Sequence, residues 1–452
     1  MFKKNNQIHG PVLLAGDSPY FKIIASELGK TDLLQNRPII TTRPKREELV
    51  QAHADKASLI IIEGVDVARE LLDDLSMKDS QADILATSIN DASCAFAGSA
   101  KRGKIRTICP QVFFPRLAAQ VSRQKDLLAV YQEIFSYTGN EFYFYEAHDL
   151  AGYTYGRSLR AFETACPVGL RTAGGTTLNP PMNTILEKED TLVLLAPAHS
   201  QIKRNEAILP APDRETLGDS MLLREEGESF LFLGWNTRCL SILDEMDHYA
   251  RKGSRVLIIA PELSPLRNIL TNREPFRRLT IETREGPVSD RSFLDETPWE
   301  FFENILIPGS AEEGDESALL LLDQVRSLLE ARGFTNNLTA LTWSPVEPMG
   351  KDILSYTAIW KIAAQIAMHP EYDGIIEELT TPHGAEVYLK PAENYIKLDT
   401  PINFYTIIEA AKQKSETAIG YIVNDTITLN PPKADKHSVF HFDRIIVLAD
   451  DH

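Results

Sequence analysis

Two short stretches of this sequence contain the residue types from which a ligand-binding crevice is built. Each places one glycine directly after an apolar strand pattern and directly before a helical pattern. Ligands of open α/β sheets bind beyond the carboxyl ends of the strands, which is where such stretches lie. We therefore predict that two crevices are lined by these residues: Gly16, Asp17 and Ser18 in the first stretch, and Gly234, Trp235, Asn236, Thr237 and Arg238 in the second.

A dinucleotide would require more glycines than either stretch supplies. The fingerprint Gly-x-Gly-x-x-Gly needs one glycine for the turn, one for the approach of the pyrophosphate and one for helix packing. Ser18 and Phe21 take the second and third places in the first stretch, and Asn236 and Cys239 take them in the second. Glu262, after the next strand, could hold a ribose hydroxyl, but acids that cap a turn after a strand are common. The sequence argues against NAD as a cofactor and names no other ligand.

An acidic cluster is the candidate metal site of this sequence. It lies between a strand pattern and a long helical pattern, and its carboxylates are Glu312, Glu313, Asp315 and Glu316. Calcium prefers oxygen ligands of this kind, but the cluster lacks the alternating spacing of an EF-hand loop. Carboxylates also stabilise a helix N-terminus. Calcium therefore stays open as a ligand beside the plainer interpretation, a solvated turn that caps the helix.

No Ser/His/Asp or Cys/His arrangement stands out, so we predict no catalytic residue. The cysteines lack a Cys-x-x-Cys motif and any zinc spacing, which is typical of reduced thiols in a cytoplasmic protein; they are Cys94, Cys109, Cys166 and Cys239.

Charge and hydropathy exclude further classes of function. The chain has 452 residues and a formal net charge of −17, whereas a nucleic-acid partner would require a basic face. No apolar run approaches the roughly 20 residues that cross a bilayer, and the first residues lack the apolar core of a signal peptide. We expect a cytoplasmic protein, free or peripheral at the inner face of the membrane, that does not form a channel by itself.

An internal repeat organises the chain. The pentapeptide Thr177–Pro181 returns unchanged as Thr428–Pro432, and Gly139 before the first copy is matched by Gly384 before the second. Each copy sits between an alternating aromatic or aliphatic strand pattern and a closing apolar strand. A repeat of this length indicates that one structural unit was duplicated.

The elements around the repeat predict an α/β fold with two tandem units. Ahead of each copy, five strand patterns alternate with helical patterns, which is typical of a parallel, Rossmann-like sheet. The long amphipathic pattern over 114–135 and the pattern over 357–369 predict a crossover helix after each sheet. The expected segments are a first lobe at 10–113, a crossover helix at 114–136, a first small α+β module at 137–197, a linker at 198–228, a second lobe at 229–345, a second crossover helix at 346–373 and a second module at 374–452.

This arrangement resembles the tandem regulator-of-K+-conductance (RCK) units of channel gating rings. The segment Phe142–Leu170 is similar to the corresponding region of the CASTOR/POLLUX/SYM8 ion-channel family, as are the opening Ser229–Trp235 and the acidic loop and helix of Ile305–Leu329. The small modules also resemble the C-terminal domain of potassium-uptake regulatory subunits. The resemblance implies a ligand-sensing ring that gates a cation channel, assembled from four two-unit subunits.

The family carries pore helices ahead of its first lobe, and this sequence shows none. The leading hypothesis is therefore a non-enzymatic regulatory protein whose partners are further copies of itself, in a ring expected to be a tetramer, and a membrane pore. The pore would belong to a separate membrane subunit or to a pore domain missing from this sequence. Two alternatives stay open: an NAD(P)-dependent oxidoreductase, and a soluble sensor or scaffold without a channel.

Overall fold

The computed structural model describes residues 10–30, 34, 37–73, 80, 82–87, 105–136, 139–205, 217–218, 226–309, 314–345, 350–397, 401–434 and 444–450. These residues form two compact units. The lobe unit contains the described residues between 10 and 128 and between 226 and 370, and the module unit contains those between 129 and 218 and between 371 and 450. Each unit thus combines matching parts of the two sequence repeats.

The first lobe is a five-stranded parallel sheet with the strand order β2-β1-β3-β4-β5. Helices cover both faces of such a sheet, so its central strands are nearly continuous apolar runs; all four residues of β1 are buried. All five strands predicted for this lobe are confirmed. The elements are β1 (Val12–Ala15), α1 (Tyr20–Leu28), β2 (Ile39–Thr42), α2 (Arg46–Gln51), β3 (Leu59–Glu63), α3 (Val65–Asp73), β4 (Asp83–Thr87) and β5 (Ile105–Ile108).

The second lobe is a six-stranded parallel sheet with the order β12-β11-β10-β13-β14-β15, the full Rossmann order. Five of its strands agree with the prediction. The sixth, β15, was not predicted because three residues are too few to show a periodic pattern. The elements are β10 (Ser229–Leu233), α7 (Cys239–Tyr249), β11 (Ser254–Ala260), α8 (Ser264–Thr271), β12 (Leu279–Glu285), α9 (Arg291–Asp295), β13 (Asn304–Pro308), α10 (Glu316–Arg332), β14 (Asn337–Thr342) and β15 (Ile353–Ser355).

The two lobes differ by one strand. Matching the sheets from β1 and β10 outward leaves β12 without a counterpart among the described residues of the first lobe. The connection that carries β12, α8 and α9 runs over residues 261–303, whereas the equivalent connection of the first lobe runs only over 43–58. The duplicated fold is therefore shortened in the first lobe, and β2 forms an edge of its sheet.

Each module is a four-stranded antiparallel sheet, and the strand order is the same in both. The first sheet has the order β6-β9-β7-β8 and the second has β16-β19-β17-β18. The parallel sheet of each lobe and the equal strand order of the two modules confirm the predicted fold class. The elements are β6 (Glu141–Glu146), α6 (Tyr155–Ser158), β7 (Cys166–Thr172), β8 (Gly175–Leu178) and β9 (Thr191–Ala196) in the first module, and β16 (Glu386–Pro391), α13 (Phe404–Gln413), β17 (Thr417–Val423), β18 (Thr426–Leu429) and β19 (Arg444–Ala449) in the second.

The crossover segments are each two helices, where the sequence pattern predicted one long helix in the first segment. The first consists of α4 (Pro110–Val121) and α5 (Leu127–Ile134), and the second of α11 (Thr357–Met368) and α12 (Tyr372–Thr380). Asp126, directly before α5, has a left-handed backbone (φ 69°), so α4 and α5 cannot form one continuous helix. Pro370 disfavours helical backbone at the preceding residue and ends the second.

Within the lobe unit, the two lobes pack through the same contact made twice. Helix α1 of the first lobe packs against α11, and α7 of the second lobe packs against α4. Because α1 and α7 are equivalent, as are α4 and α11, the contact has the pattern of a two-fold related pair. Tyr20 stacks on Trp360 at one contact, and Arg116 pairs with Glu245 at the other (3.6 Å).

None of the described helices is both long enough and apolar enough to span a membrane.

Candidate functional site

Glu63 bridges the first predicted crevice. It is the last residue of β3, which lies beside β1 in the sheet. Its Oε2 atom accepts hydrogen bonds from the backbone N–H groups of Asp17 (2.8 Å) and Ser18 (3.0 Å). N–H groups ahead of a helix N-terminus are the usual donors to a bound phosphate. A carboxylate of the chain itself therefore occupies the position that an anion would take in front of α1.

The ring of Phe21 fills the space beside Gly16. A Cβ atom added to Gly16 would lie 2.6 Å from this ring, so only glycine fits there. Phe21 is 6% exposed and stands in the third place of the glycine fingerprint. The place that the fingerprint reserves for a glycine between helix and strand is thus taken by an aromatic side chain, whose ring lies against the remaining glycine.

Asn236 bridges the second predicted crevice. Its Nδ2 atom donates to the carbonyl oxygen of Gly309, which follows β13, and its Oδ1 atom accepts from the backbone N–H of Arg238 (3.0 Å). Strands β10 and β13 are neighbours on opposite sides of the point where the strand order reverses, the usual ligand position in this fold. The amide therefore ties the start of α7 to the far wall of the crevice.

Trp343 forms the wall of the second crevice. Its Nε1–H donates to the carbonyl oxygen of Gly309 (3.0 Å), the same oxygen that Asn236 reaches. The guanidinium of Arg238 lies 4.3 Å from the centre of the indole, a cation–π contact. The exposed positive charge of Arg238 is the feature of this crevice that a negatively charged ligand would meet first.

The described acidic candidates have structural roles in the chain. The carboxylate of Asp315 accepts from the backbone N–H groups of Trp343 (2.9 Å) and Ser344 (2.8 Å) and from the Ser344 hydroxyl. Glu316 is the first residue of α10. Glu262 accepts from the backbone N–H of Ser264 (2.7 Å) at the start of α8, and the hydrogen bonds from the side chain and the backbone of Ser264 lower the pKa of its carboxyl. It caps a helix.

The calcium prediction depends in part on residues that lie outside the described ranges, namely Glu312 and Glu313. Within the part of the chain that the structure describes, no group of three or more His, Cys, Asp or Glu side chains converges on a metal position. Calcium binding by the whole cluster stays a prediction.

The remaining crevice residues flank these bridges. Gly234 has a left-handed backbone (φ 109°), which glycine accommodates at the end of β10. Trp235 is half-buried, and Thr237 is exposed at the start of α7. The two predicted stretches are therefore both at the carboxyl edge of a sheet.

Four residues of these sites were not predicted: Tyr20, Glu63, Gly309 and Trp343. The hydroxyl of Tyr20, in the first lobe, donates to the carbonyl oxygen of Trp343, in the second. Burial raises the pKa of the Tyr20 hydroxyl, with Arg238 lowering it and Asp315 raising it. Only Glu63 and Gly309 could have been found from the sequence. Glu63 ends β3, the strand beside β1, and Gly309 follows β13, the strand beside β10.

Comparisons with known proteins agree with this architecture. A family model described as "Castor and Pollux, part of voltage-gated ion channel" matches residues 111–211. A probable ion channel CASTOR of Oryza sativa subsp. japonica is 24% identical over 379 residues, which is 73% of this chain and 42% of the relative. A probable ion channel SYM8 of Pisum sativum is 22% identical over 399 residues, 76% of this chain and 44% of the relative. The chain thus spans less than half the length of these relatives.

The fold has a counterpart among solved structures. The human SLO3 gating ring aligns with a TM-score of 0.63 at 12% sequence identity, covering 97% of this chain and 98% of that one. The resemblance expected from the sequence is confirmed: the chain is similar to the CASTOR, POLLUX and SYM8 ion channels over 73% to 76% of its length and has the fold of a gating ring.

Proposed function

We propose that this chain is a cytoplasmic, ligand-sensing regulatory protein of a cation channel or transport system, without catalytic activity. The observation that carries the proposal is the gating-ring fold of the described residues, in which two duplicated lobes pack through equivalent helices. Ligand binding at the carboxyl edge of a lobe would favour one packing of that pair over another. A difference in affinity between two packings is what converts binding into a conformational signal.

The gating-ring fold also suggests which partners the chain has. Further copies of the chain would complete a ring, which we expect to be a tetramer, and a membrane pore would receive the signal. The pore would be a separate subunit or a pore domain outside the given sequence. The curated relatives support this reading through their description as ion channels.

An NAD(P)-dependent oxidoreductase is the less favoured alternative. Glu63 and Asn236 bridge the positions that a pyrophosphate would need, and Phe21 packs on the single glycine of the first crevice. The exposed guanidinium of Arg238 favours a negatively charged ligand other than a dinucleotide, and calcium at the acidic cluster stays a prediction. The third hypothesis, a soluble sensor without a channel, shares the ring and differs only in its partner.

The mass of the native assembly tests the proposal. Native mass spectrometry of the purified chain should give four times the mass of one chain, and addition of calcium or a nucleotide should leave the number of subunits unchanged. A strict monomer in every condition would contradict the ring. To separate a channel regulator from a soluble sensor, the tagged chain is cross-linked in native membranes, where a protein with pore helices should be recovered with it.

A further inference from the structure

A continuous series of contacts joins the two crevices of the lobe unit. It begins at Glu63, whose carboxylate holds the backbone N–H groups of Asp17 and Ser18. Ser18 in turn holds the start of α1. Its hydroxyl accepts from the backbone N–H of Tyr20 (3.3 Å), and its carbonyl oxygen accepts from the backbone N–H of Phe21 (3.1 Å). The loop that binds Glu63 therefore positions the first turn of α1.

Tyr20 carries the series from the first lobe to the second. Its hydroxyl donates to the carbonyl oxygen of Trp343, and its ring lies flat on Trp360 (centroids 5.0 Å apart, planes 8° apart). Trp360 belongs to α11 and is fully buried. The stack leaves the ring of Tyr20 little freedom to turn, so the position of its hydroxyl follows the first turn of α1.

Trp343, which accepts the hydrogen bond from Tyr20, also forms the wall of the second crevice. Trp343 donates to the carbonyl oxygen of Gly309, and Asn236 donates to the same oxygen. The guanidinium of Arg238 also lies over the indole of Trp343, 4.3 Å from the ring centre. The charges of Arg238 and Asp315 both act on the pKa of the Tyr20 hydroxyl, which agrees with their closeness to it. The two crevices are thus joined by a continuous path of hydrogen bonds and ring contacts through Tyr20 and Trp343.

We infer that the hydroxyl of Tyr20 is a positioning group that couples the two crevices, so that occupation or opening of one changes the order of the other. This inference rests on the proposed sensing function, and it adds the route between the two sites. Tyr20 touches no ligand in this account. It acts through Trp343 on the second crevice and through Ser18 on the first.

Hydrogen–deuterium exchange in the full-length chain tests the inference without a ligand or a channel. Asn236→Ala removes the bridge of the second crevice, and exchange is measured in peptides that cover residues 14–24 of the first. The expected result is a severalfold faster exchange there in the chain that has Tyr20. In the Tyr20→Phe background, which keeps the ring on Trp360 and removes only the hydroxyl, the same substitution should leave this exchange unchanged. Asn268→Ala, an exposed substitution on α8, is the control.

The reverse experiment keeps the inference testable even if the Asn236→Ala chain folds poorly. Glu63→Gln weakens the bridge of the first crevice, and exchange is measured in peptides that cover residues 232–241. Coupling between two sites is reciprocal, so exchange should rise there with Tyr20 and not with Phe at that position. If neither bridge substitution affects the other crevice, or if the effect is as large in the Tyr20→Phe chain, the inference is wrong. A chain that failed to form a ring could still pass this test, so the two proposals fail separately.

Discussion

Asn179 and Asn430 make the same contact in opposite directions between the two modules. The Nδ2 atom of Asn179 donates to the carbonyl oxygen of Ser415 (3.0 Å), and its Oδ1 atom accepts from the hydroxyl of Thr417 (2.8 Å). The Nδ2 atom of Asn430 donates to the carbonyl oxygen of Thr164 (2.8 Å), and its Oδ1 atom accepts from the thiol of Cys166 (3.3 Å).

The repeated pentapeptide therefore has a structural purpose. Its asparagine is in the left-handed region in both copies, with φ of 44° at position 179 and 47° at position 430, and asparagine tolerates this backbone better than most residues. Each asparagine reaches the start of the long strand of the other module, β7 or β17. The pair has the pattern of a two-fold interface between two copies of one fold.

Substitution of these asparagines should have unequal effects. Asn179→Asp keeps the shape of the side chain but turns a buried donor into an acceptor that faces a carbonyl oxygen, which we expect to destabilise the module unit by about 1–3 kcal/mol. Asn430→Asp should cost less, because the buried ammonium of Lys433 lies 2.9 Å from the Oδ1 atom of Asn430 and would pair with the new carboxylate.

Urea unfolding followed by a probe in the module unit measures both free energies. Asn183→Asp, at an exposed position in the first module, is the control and should change the free energy of unfolding little. Equal losses for Asn179→Asp and Asn430→Asp would show that Lys433 does not compensate.

The pH dependence of the module unit should contain a contribution from two equivalent glutamates. Glu133 on α5 and Glu378 on α12 are both half-buried, and burial raises the pKa of both carboxyls. Glu378 accepts from the backbone N–H of Leu178 (3.1 Å), and the charges of Asp450 and Glu377 raise its pKa further. Glu133 accepts from the side chain of Asn140 (3.4 Å), which lowers its pKa.

The sign follows from the direction of these shifts. A carboxyl with a raised pKa in the folded state is more easily protonated there than in the unfolded chain, so it favours folding at low pH, and this contribution is lost as the pH rises through the folded pKa. The double variant Glu133→Gln, Glu378→Gln should therefore be more stable than the native chain at pH 7, by less than about 1 kcal/mol for half-exposed groups. Thermal unfolding at pH 5 and at pH 7 should show a flatter pH dependence in the variant. Exposed Glu393→Gln is the control, and an unchanged pH dependence in the double variant would contradict the assignment.

The β-bulge at the centre of each module should require its glycine. The pairing register of β7 with β9 shifts between Pro167 and Gly169, and that of β17 with β19 shifts between Ala418 and Gly420. A Cβ atom on Gly169 would lie 2.6 Å from the carbonyl oxygen of Thr177, which is backbone and cannot turn away. Gly169→Ala should destabilise the module unit by about 1–3 kcal/mol.

Gly174→Ala, in the turn of the same hairpin, is the matched control because its Cβ atom would be 3.5 Å from the nearest atom. Circular-dichroism melting curves of the two variants compare them directly. Similar curves would mean that the strand adjusts to the added methyl group.

Both crevices should be closed to dinucleotides. Because Glu63 and Asn236 bridge them, isothermal titration with NAD should give no saturable binding tighter than a Kd of about 1 mM. Glu63→Ala removes one bridge but adds no glycine, so it should not restore binding either. Saturable binding in the micromolar range would contradict the arrangement and favour the oxidoreductase alternative.

The local pattern of the sequence determined the fold class of this protein. The central strands of the lobes are buried on both faces and are continuous apolar runs. These runs, together with the β-branched residues of the edge strands, predicted the ten longer strands of the two lobes, and the repeated pentapeptide revealed the duplication. The two glycine stretches could be placed at the ends of β1 and β10 because glycine allows the turn between strand and helix.

Only the tertiary structure decided which side chains fill those crevices and how the repeats pair. Glu63 lies 46 residues from its partner Asp17, and Tyr20 lies 323 residues from Trp343; no periodic pattern relates positions so far apart. The pairing of lobe with lobe and module with module depends on surfaces that each repeat presents to the other. Such long-range contacts are set by packing of the whole chain, whereas strand and helix patterns are set by neighbours in the sequence.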